Sequence, residues 1–103
     1  MQIKEGVRLT GLKPEIVLAA SVADSVYKQY GQELVITSGI EGSHSKTSRH
    51  YLGYAIDCRT HYFTENQIPK IQQDLVNALG SDYYVQYEGN HFHIQFSPQE
   101  ITS

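Results

Sequence analysis

The feature that most constrains this chain is a pair of short β-type runs, Tyr83 to Glu88 and His91 to Phe96, separated only by Gly89-Asn90. A Gly-Asn dipeptide between two such runs predicts a tight antiparallel hairpin with a two-residue loop. That loop fixes the register. Glu88 and His91 become the pair flanking the turn, and paired residues point to one face with Cβ atoms roughly 5 Å apart. His93 is two residues further along its strand and shares the face of His91. The hairpin therefore gathers a carboxylate and two imidazoles on one surface. Such a set suits a metal site or an acid–base site, and equally an exposed polar sheet face.

The rest of the pattern frames this hairpin. Pro14 suits a first helical turn, because it lacks an N–H and has a fixed φ. Ile16, Ala19, Ala20, Ala23, Val26, Tyr27 and Tyr30 then repeat at helical spacing, and Gly31 fits the stop. Leu34 to Thr37 reads as a short strand buried on both faces, ended by Ser38-Gly39, and residues 40–50 read as a polar loop. Gly53 to Arg59 alternates like a strand. Thr64 and Gln67 resemble a capping box, although Pro69 favours a later start with Asn66 as cap. That second helix carries Ile68, Ile71, Leu75, Ala78 and Leu79 on one face and ends at Gly80. Val7 and Leu9 alternate in what reads as a short N-terminal edge strand. The predicted class is α+β, a small antiparallel sheet with helices packed on one side, forming a single domain over residues 1–103.

Composition narrows the function. The 103 residues carry a net charge of −3, and the eight Lys and Arg residues are scattered from Lys4 to Lys70. There is no basic stripe, so a nucleic-acid partner is not expected. The longest apolar run, Ile16 to Val22, is interrupted by Ser21 and is too short to span a membrane. The start lacks the pattern of a secretory signal peptide. Cys58 is the only cysteine, which excludes an internal disulfide and a multi-cysteine zinc site. A metal site must then use histidine and carboxylate, and all five histidines fall between His44 and His93.

A second cluster precedes the hairpin. On the strand ending at Arg59, Asp57, Ala55 and Gly53 share one face, while Cys58, Ile56 and Tyr54 share the other. The small residues on the Asp57 side leave room for a group above the sheet, such as His50 folding back. His50 and Asp57 are suited to Zn²⁺, and His93 would make a third ligand. Three protein ligands and an open position is the catalytic zinc arrangement. Cys58 reads as a core thiol, His61 as a surface loop residue, and Ser45 and Ser48 as loop-bracing hydroxyls. No G-x-S-x-G is present to support a serine nucleophile.

The run Ser48-Arg49-His50-Tyr51-Leu52-Gly53-Tyr54-Ala55-Ile56-Asp57 resembles the S-x-H-x-x-G-x-A-x-D signature of zinc D-alanyl-D-alanine carboxypeptidase-like peptidases. His91-Phe92-His93 resembles their later H-x-H segment. This group includes phage endolysins that cut bacterial cell-wall peptides, and it shares its fold with the hedgehog signalling domain. The resemblance implies a hedgehog/D,D-peptidase-like fold, one Zn²⁺ and a peptidoglycan stem or cross-link peptide as substrate. It makes His50, Asp57 and His93 the metal ligands and sets His91 beside the metal as oxyanion stabiliser. It implies synthesis in the bacterial cytoplasm and action at the wall after export or holin release.

Two departures from the family pattern stand out. Many members carry the base carboxylate three residues before the last ligand, where this chain has Asn90. Glu88, the nearest carboxylate, takes the base role. Many also carry an Arg after the Ser-Gly turn to grip the substrate carboxylate, where this chain has Ile40-Glu41. His44 and Arg49, with Ser48 beside them, become the substrate-side residues. The alternative is a catalytically silent zinc-binding module on the same fold, in which Asn90 marks a lost base. A metal-free structural or virion protein is the third reading.

Overall fold

Residues 1–41 and 52–98 are described by a computed structural model. The order of elements is β1 (Gln2–Ile3), α1 (Pro14–Gln29), β2 (Val35–Ser38), β3 (Ala55–Arg59), α2 (Ile68–Leu79), β4 (Tyr83–Tyr87) and β5 (His91–Phe96). The strands form one sheet in the order β1-β2-β3-β5-β4. Both helices lie on one face of it.

The helices form where the apolar spacing places them. The buried stripe of α1 is Ile16, Ala19, Ala20, Ala23, Val26 and Tyr27, and that of α2 is Ile68, Ile71 and Leu75. These pack on the inner face of the sheet, supplied by Ile36, Ile56, Cys58, Val85, Phe92 and Ile94. Phe92 and Ile94 are fully buried, and burying a side chain of this size stabilises by about 1.5–3 kcal/mol. Because β-strand side chains alternate, the partners of these residues on the other face are Asp57, Arg59, His91, His93 and Gln95. The core thus sets the direction of the polar face. Two tyrosines tie the layers: the hydroxyl of buried Tyr27 donates to the Arg59 carbonyl at 2.8 Å, and that of half-buried Tyr83 to the Glu15 carbonyl at 2.7 Å.

The sheet is mixed rather than purely antiparallel. β1 runs parallel to β2, with Gln2 opposite Val35, while the remaining pairs are antiparallel. A parallel pair needs a long crossover, and α1 supplies it. The N-terminal strand also falls earlier than Val7 and Leu9. The chain turns at Lys4 to Val7, where the Val7 N–H bonds the Lys4 carbonyl at 3.2 Å, and Val7 and Leu9 rest half-buried on the core outside any strand. Residue Gln67, not Asn66, precedes α2, and half of the capping box forms: the Thr64 N–H donates to Gln67 Oε1 at 3.0 Å. Ala78 is exposed rather than part of the packed face.

The room expected beside Gly53 is occupied. Gly53 lies outside β3 at φ +83°, and a Cβ there would stand 2.3 Å from the Gly11 carbonyl oxygen. The Lys13 N–H donates to the Gly53 carbonyl at 3.0 Å. Glycine is needed here for close backbone approach and not to clear space for a ligand.

Candidate functional site

Three adjacent strands build one polar face. Asp57 on β3 stands opposite His93 on β5, Arg59 opposite His91, and Gln86 on β4 opposite His93. The hairpin closes as the sequence pattern requires. The Glu88 N–H donates to the His91 carbonyl at 2.9 Å, and Gly89 takes φ +92° at the first loop position, where a type II′ turn needs glycine.

The side chains on this face converge. His93 Nδ1 is 3.1 Å from Asp57 Oδ1, and His91 Nε2 is 3.0 Å from Glu88 Oε1. His91 Nε2 also lies 3.7 Å from Asp57 Oδ2, and His93 Nδ1 lies 4.0 Å from Glu88 Oε1. Asp57 and His93 are largely enclosed, with side chains 15% and 16% exposed, whereas Glu88 is 44% exposed. Asp57, Glu88 and His91 lie close enough to hold a metal ion.

Each imidazole meets an oxygen at both ring nitrogens. The second neighbour of His91 is Asn90 Oδ1 at Nδ1, and that of His93 is Gln95 Oε1, 2.8 Å from Nε2. A neutral imidazole donates from one nitrogen only. At His93 the neighbouring Asp57 and Gln95 oxygens both favour the charged ring. The electrostatics of His93 agree. Burial pulls its pKa down, but the hydrogen bonds to Asp57 and Gln95 and the charges of Asp57 and Glu88 outweigh it. The net pKa stands above the ordinary imidazole value.

A cleft of about 490 Å³ opens beside the cluster. Among the described residues it is lined by Lys4, Thr37, Ser38, Asp57, Arg59, His61, Asn90 and His91. A bulge shapes its floor. Ile36 pairs with Cys58 but Ser38 pairs with Asp57, so β2 contributes one extra residue there. The Thr37 hydroxyl donates to the Asp57 carbonyl at 3.4 Å.

Glu41, which follows the turn after β2, braces this region. Its Oε1 accepts the N–H of Arg8 at 2.9 Å and that of Gly39 at 2.8 Å. Burial raises the Glu41 pKa, but these N–H groups and the Ser38 hydroxyl hold it below the usual carboxylate value. The carboxylate therefore stiffens the turn after β2.

Of the residues singled out in the sequence, Asp57, Glu88, His91 and His93 come together on this face. His44, Ser48, Arg49 and His50 lie outside the described residues. His61 is exposed in its loop and reaches the cleft edge. Cys58 is fully buried on the core face, and burial, with the Asp57 charge beside it, pushes its thiol pKa up, so it is not a nucleophile at neutral pH. Sequence reasoning missed Asn90 and Gln95 as partners of the imidazoles. Gln95 could have been found, since alternation puts it on the face of His91 and His93. Among the described residues, no helix is long and apolar enough to cross a membrane. No family model matches the chain, and no curated protein matches it.

Proposed function

We propose that this chain is a zinc-dependent peptidase of the hedgehog/D,D-peptidase type, acting on the stem or cross-link peptides of the bacterial cell wall in the manner of a phage endolysin. The observation that carries the reading is the convergence of Asp57, Glu88, His91 and His93 beside an open cleft, in a chain bearing the S-x-H-x-x-G-x-A-x-D and H-x-H signatures.

Asp57, Glu88 and His91 lie close enough to hold a metal ion, and the spacing of Asp57 and His93 supports their sharing one. Neighbouring ligands on tetrahedral zinc stand about 3.3 Å apart when each bond is near 2.0–2.1 Å. Asp57 Oδ1 and His93 Nδ1 are 3.1 Å apart. Asp57 and His93, with His50, would hold the zinc, which when bound polarises a carbonyl and acidifies water.

The protein groups supply the rest. Glu88, at the mouth of the site, takes the proton of the attacking water on Oε1 and returns it to the leaving amine. His91 turns Nε2 toward the oxygen that gains charge. Asn90 holds the His91 ring from Nδ1, so the orientation of that imidazole depends on the residue that replaces the family's carboxylate.

The test is digestion of purified peptidoglycan by the zinc-loaded protein, read by the mass of released products, with and without chelator. Chelator-sensitive release of peptide fragments is the expected result. Stoichiometric zinc without any cleavage would favour the silent zinc-binding module, which the replacement of a carboxylate by Asn90 supports. A chain that takes up no zinc overturns both.

A further inference from the structure

The two rings of the site present different nitrogens to it. His91 turns Nε2 toward Glu88 Oε1 and Asp57 Oδ2, whereas His93 turns Nδ1 toward Asp57 Oδ1 and Glu88 Oε1. The far nitrogen of His93, Nε2, lies 2.8 Å from Gln95 Oε1. An amide oxygen only accepts, so this contact requires a proton on Nε2. A neutral imidazole carries one proton. With that proton on Nε2, the lone pair is left on Nδ1, the nitrogen that faces the carboxylates.

Gln95 is placed to hold that arrangement. It follows His93 by two residues on β5, so both side chains rise from one face. Across the ladders it is flanked by Ala55 of β3 and Tyr84 of β4. The other end of its amide is engaged as well: Gln95 Nε2 donates to Ser97 Oγ at 3.4 Å, which turns Oε1 back toward His93. His93, Gln95 and Ser97 thus form a hydrogen-bonded row at two-residue spacing. A second glutamine, Gln86, stands directly across the β4–β5 ladder from His93, but its Oε1 accepts the Tyr84 hydroxyl. Two glutamines neighbour the ring, and one of them takes its N–H.

We infer that Gln95 is a positioning residue for the metal, an assignment that rests on the zinc reading of the site: it keeps the Nε2 proton of His93 and so fixes Nδ1 as the donor atom. A ligating imidazole generally gives its other N–H to an oxygen, which sets the tautomer and the ring orientation. Here that oxygen is a neutral amide from the ligand's own strand, so the alternation of β5 places the ligand and its support together. The His93 side chain is only 16% exposed, so water replaces a lost acceptor poorly. A ring without a fixed acceptor at Nε2 can also turn that nitrogen toward Asp57, which lowers the share of rings ready to bind through Nδ1.

The experiment compares wild type with Gln95→Leu, Gln95→Glu and Gln86→Leu, as full chains, at a pH where a free imidazole is neutral. Zinc affinity is measured by competition with a chromophoric chelator. The ring nitrogens of His93 are read in two-bond proton–nitrogen NMR spectra of the zinc-loaded proteins. In wild type the metal should sit on Nδ1 and the proton on Nε2. Gln95→Leu should bind zinc about 10-fold more weakly and lose the hydrogen-bonded Nε2–H signal. Gln95→Glu restores an acceptor and should bind at least as tightly as wild type, and Gln86→Leu should match wild type. Metal on His93 Nε2 in wild type overturns the inference and leaves zinc binding intact. So does a Gln95→Leu protein with wild-type affinity and ring signals, or an equal loss in Gln86→Leu. If Gln95→Leu fails to fold, the wild-type spectrum and the Gln95→Glu affinity decide. A wild-type chain that takes up no zinc sinks the zinc reading and this assignment with it. Hydrolysis is not read, so a peptidase and a silent zinc module are tested alike.

Discussion

His93 stands directly across the β3–β5 ladder from Asp57, with Nδ1 3.1 Å from Oδ1. The pairing joins residues 36 apart in sequence, and both are fixed by strands whose opposite faces form the core. The distance between them is a property of the sheet and does not depend on a loop. On the zinc reading, this pair holds the metal.

Zinc should bind at about one equivalent per chain. Asp57→Ala and His93→Ala should each lower metal content sharply after dialysis, measured by elemental analysis, while His61→Ala should keep it. Undiminished zinc in His93→Ala would remove that residue from the ligand set. Zinc should also be released as pH falls toward about 5, because protons compete for the imidazoles.

Glu88→Gln should retain zinc and lose about 10²-fold or more in hydrolysis rate, the scale of a positioned acid–base group. A Glu88→Gln enzyme as fast as wild type would exclude Glu88 as base. Asn90→Asp tests the neighbouring position, since it leaves a carboxylate against His91 Nδ1 in place of the amide. It should change the rate far less than Glu88→Gln. Activity appearing only in Asn90→Asp would identify the wild-type site as silent.

The two glycine positions should separate sharply in thermal denaturation. Gly89→Ala meets open space and suffers only its φ of +92°, a cost of about 1–2 kcal/mol. Gly53→Ala combines φ +83° with a Cβ 2.3 Å from a backbone oxygen, and should cost roughly 3–4 kcal/mol. At about 4–8 °C per kcal/mol for a domain of this size, the two melting curves are easily told apart. Similar melting temperatures would mean that the backbone of 11–13 yields easily.

Acid sensitivity should trace in part to Asp24. This buried carboxylate accepts the Leu34 N–H at 3.0 Å and pairs with Lys28 at 3.1 Å. Burial raises its pKa, but the Leu34 N–H and Lys28 outweigh it and hold the folded value below the ordinary carboxylate value. A depressed folded pKa gives stability that is present above the unfolded value and lost as pH falls through the folded one. Asp24→Asn should lower stability by roughly 1–3 kcal/mol at pH 7 and by much less near pH 2. Urea unfolding at both pH values measures the difference, and an equal loss at both would show that the charge is not what matters.

The hairpin half of the site was legible because its geometry is local. A two-residue loop determines which residues face each other, so Glu88, His91 and His93 followed from sequence positions alone. Asp57 followed from strand alternation, but its partner strand did not, because nothing in residues 55–59 states that β5 lies beside β3. The parallel pairing of β1 was hidden for a similar reason. Two residues carry no periodicity, and their placement depends on where α1 returns the chain. Gly53 was misread because an absent side chain looks the same whether it clears space for a ligand or admits the backbone of Gly11. Glu41 was visible only as a departure from a pattern, since its partners, Arg8 and Gly39, are brought to it by the fold.

The alternation along β5 bears on which length changes this chain can survive. Phe92 and Ile94 point into the core while His91 and His93 point out of it, so the strand serves both faces with no residue to spare. Adding or removing one residue within the strand would shift everything beyond it by one position and turn the chain over. Imidazoles would then enter the hydrocarbon interior, and aromatic rings would replace them in the cleft. Lineages carrying such a change would lose folding and chemistry in one step. Insertions and deletions within residues 91–96 should be purged, whereas the exposed turn before β4 has more room to vary in length.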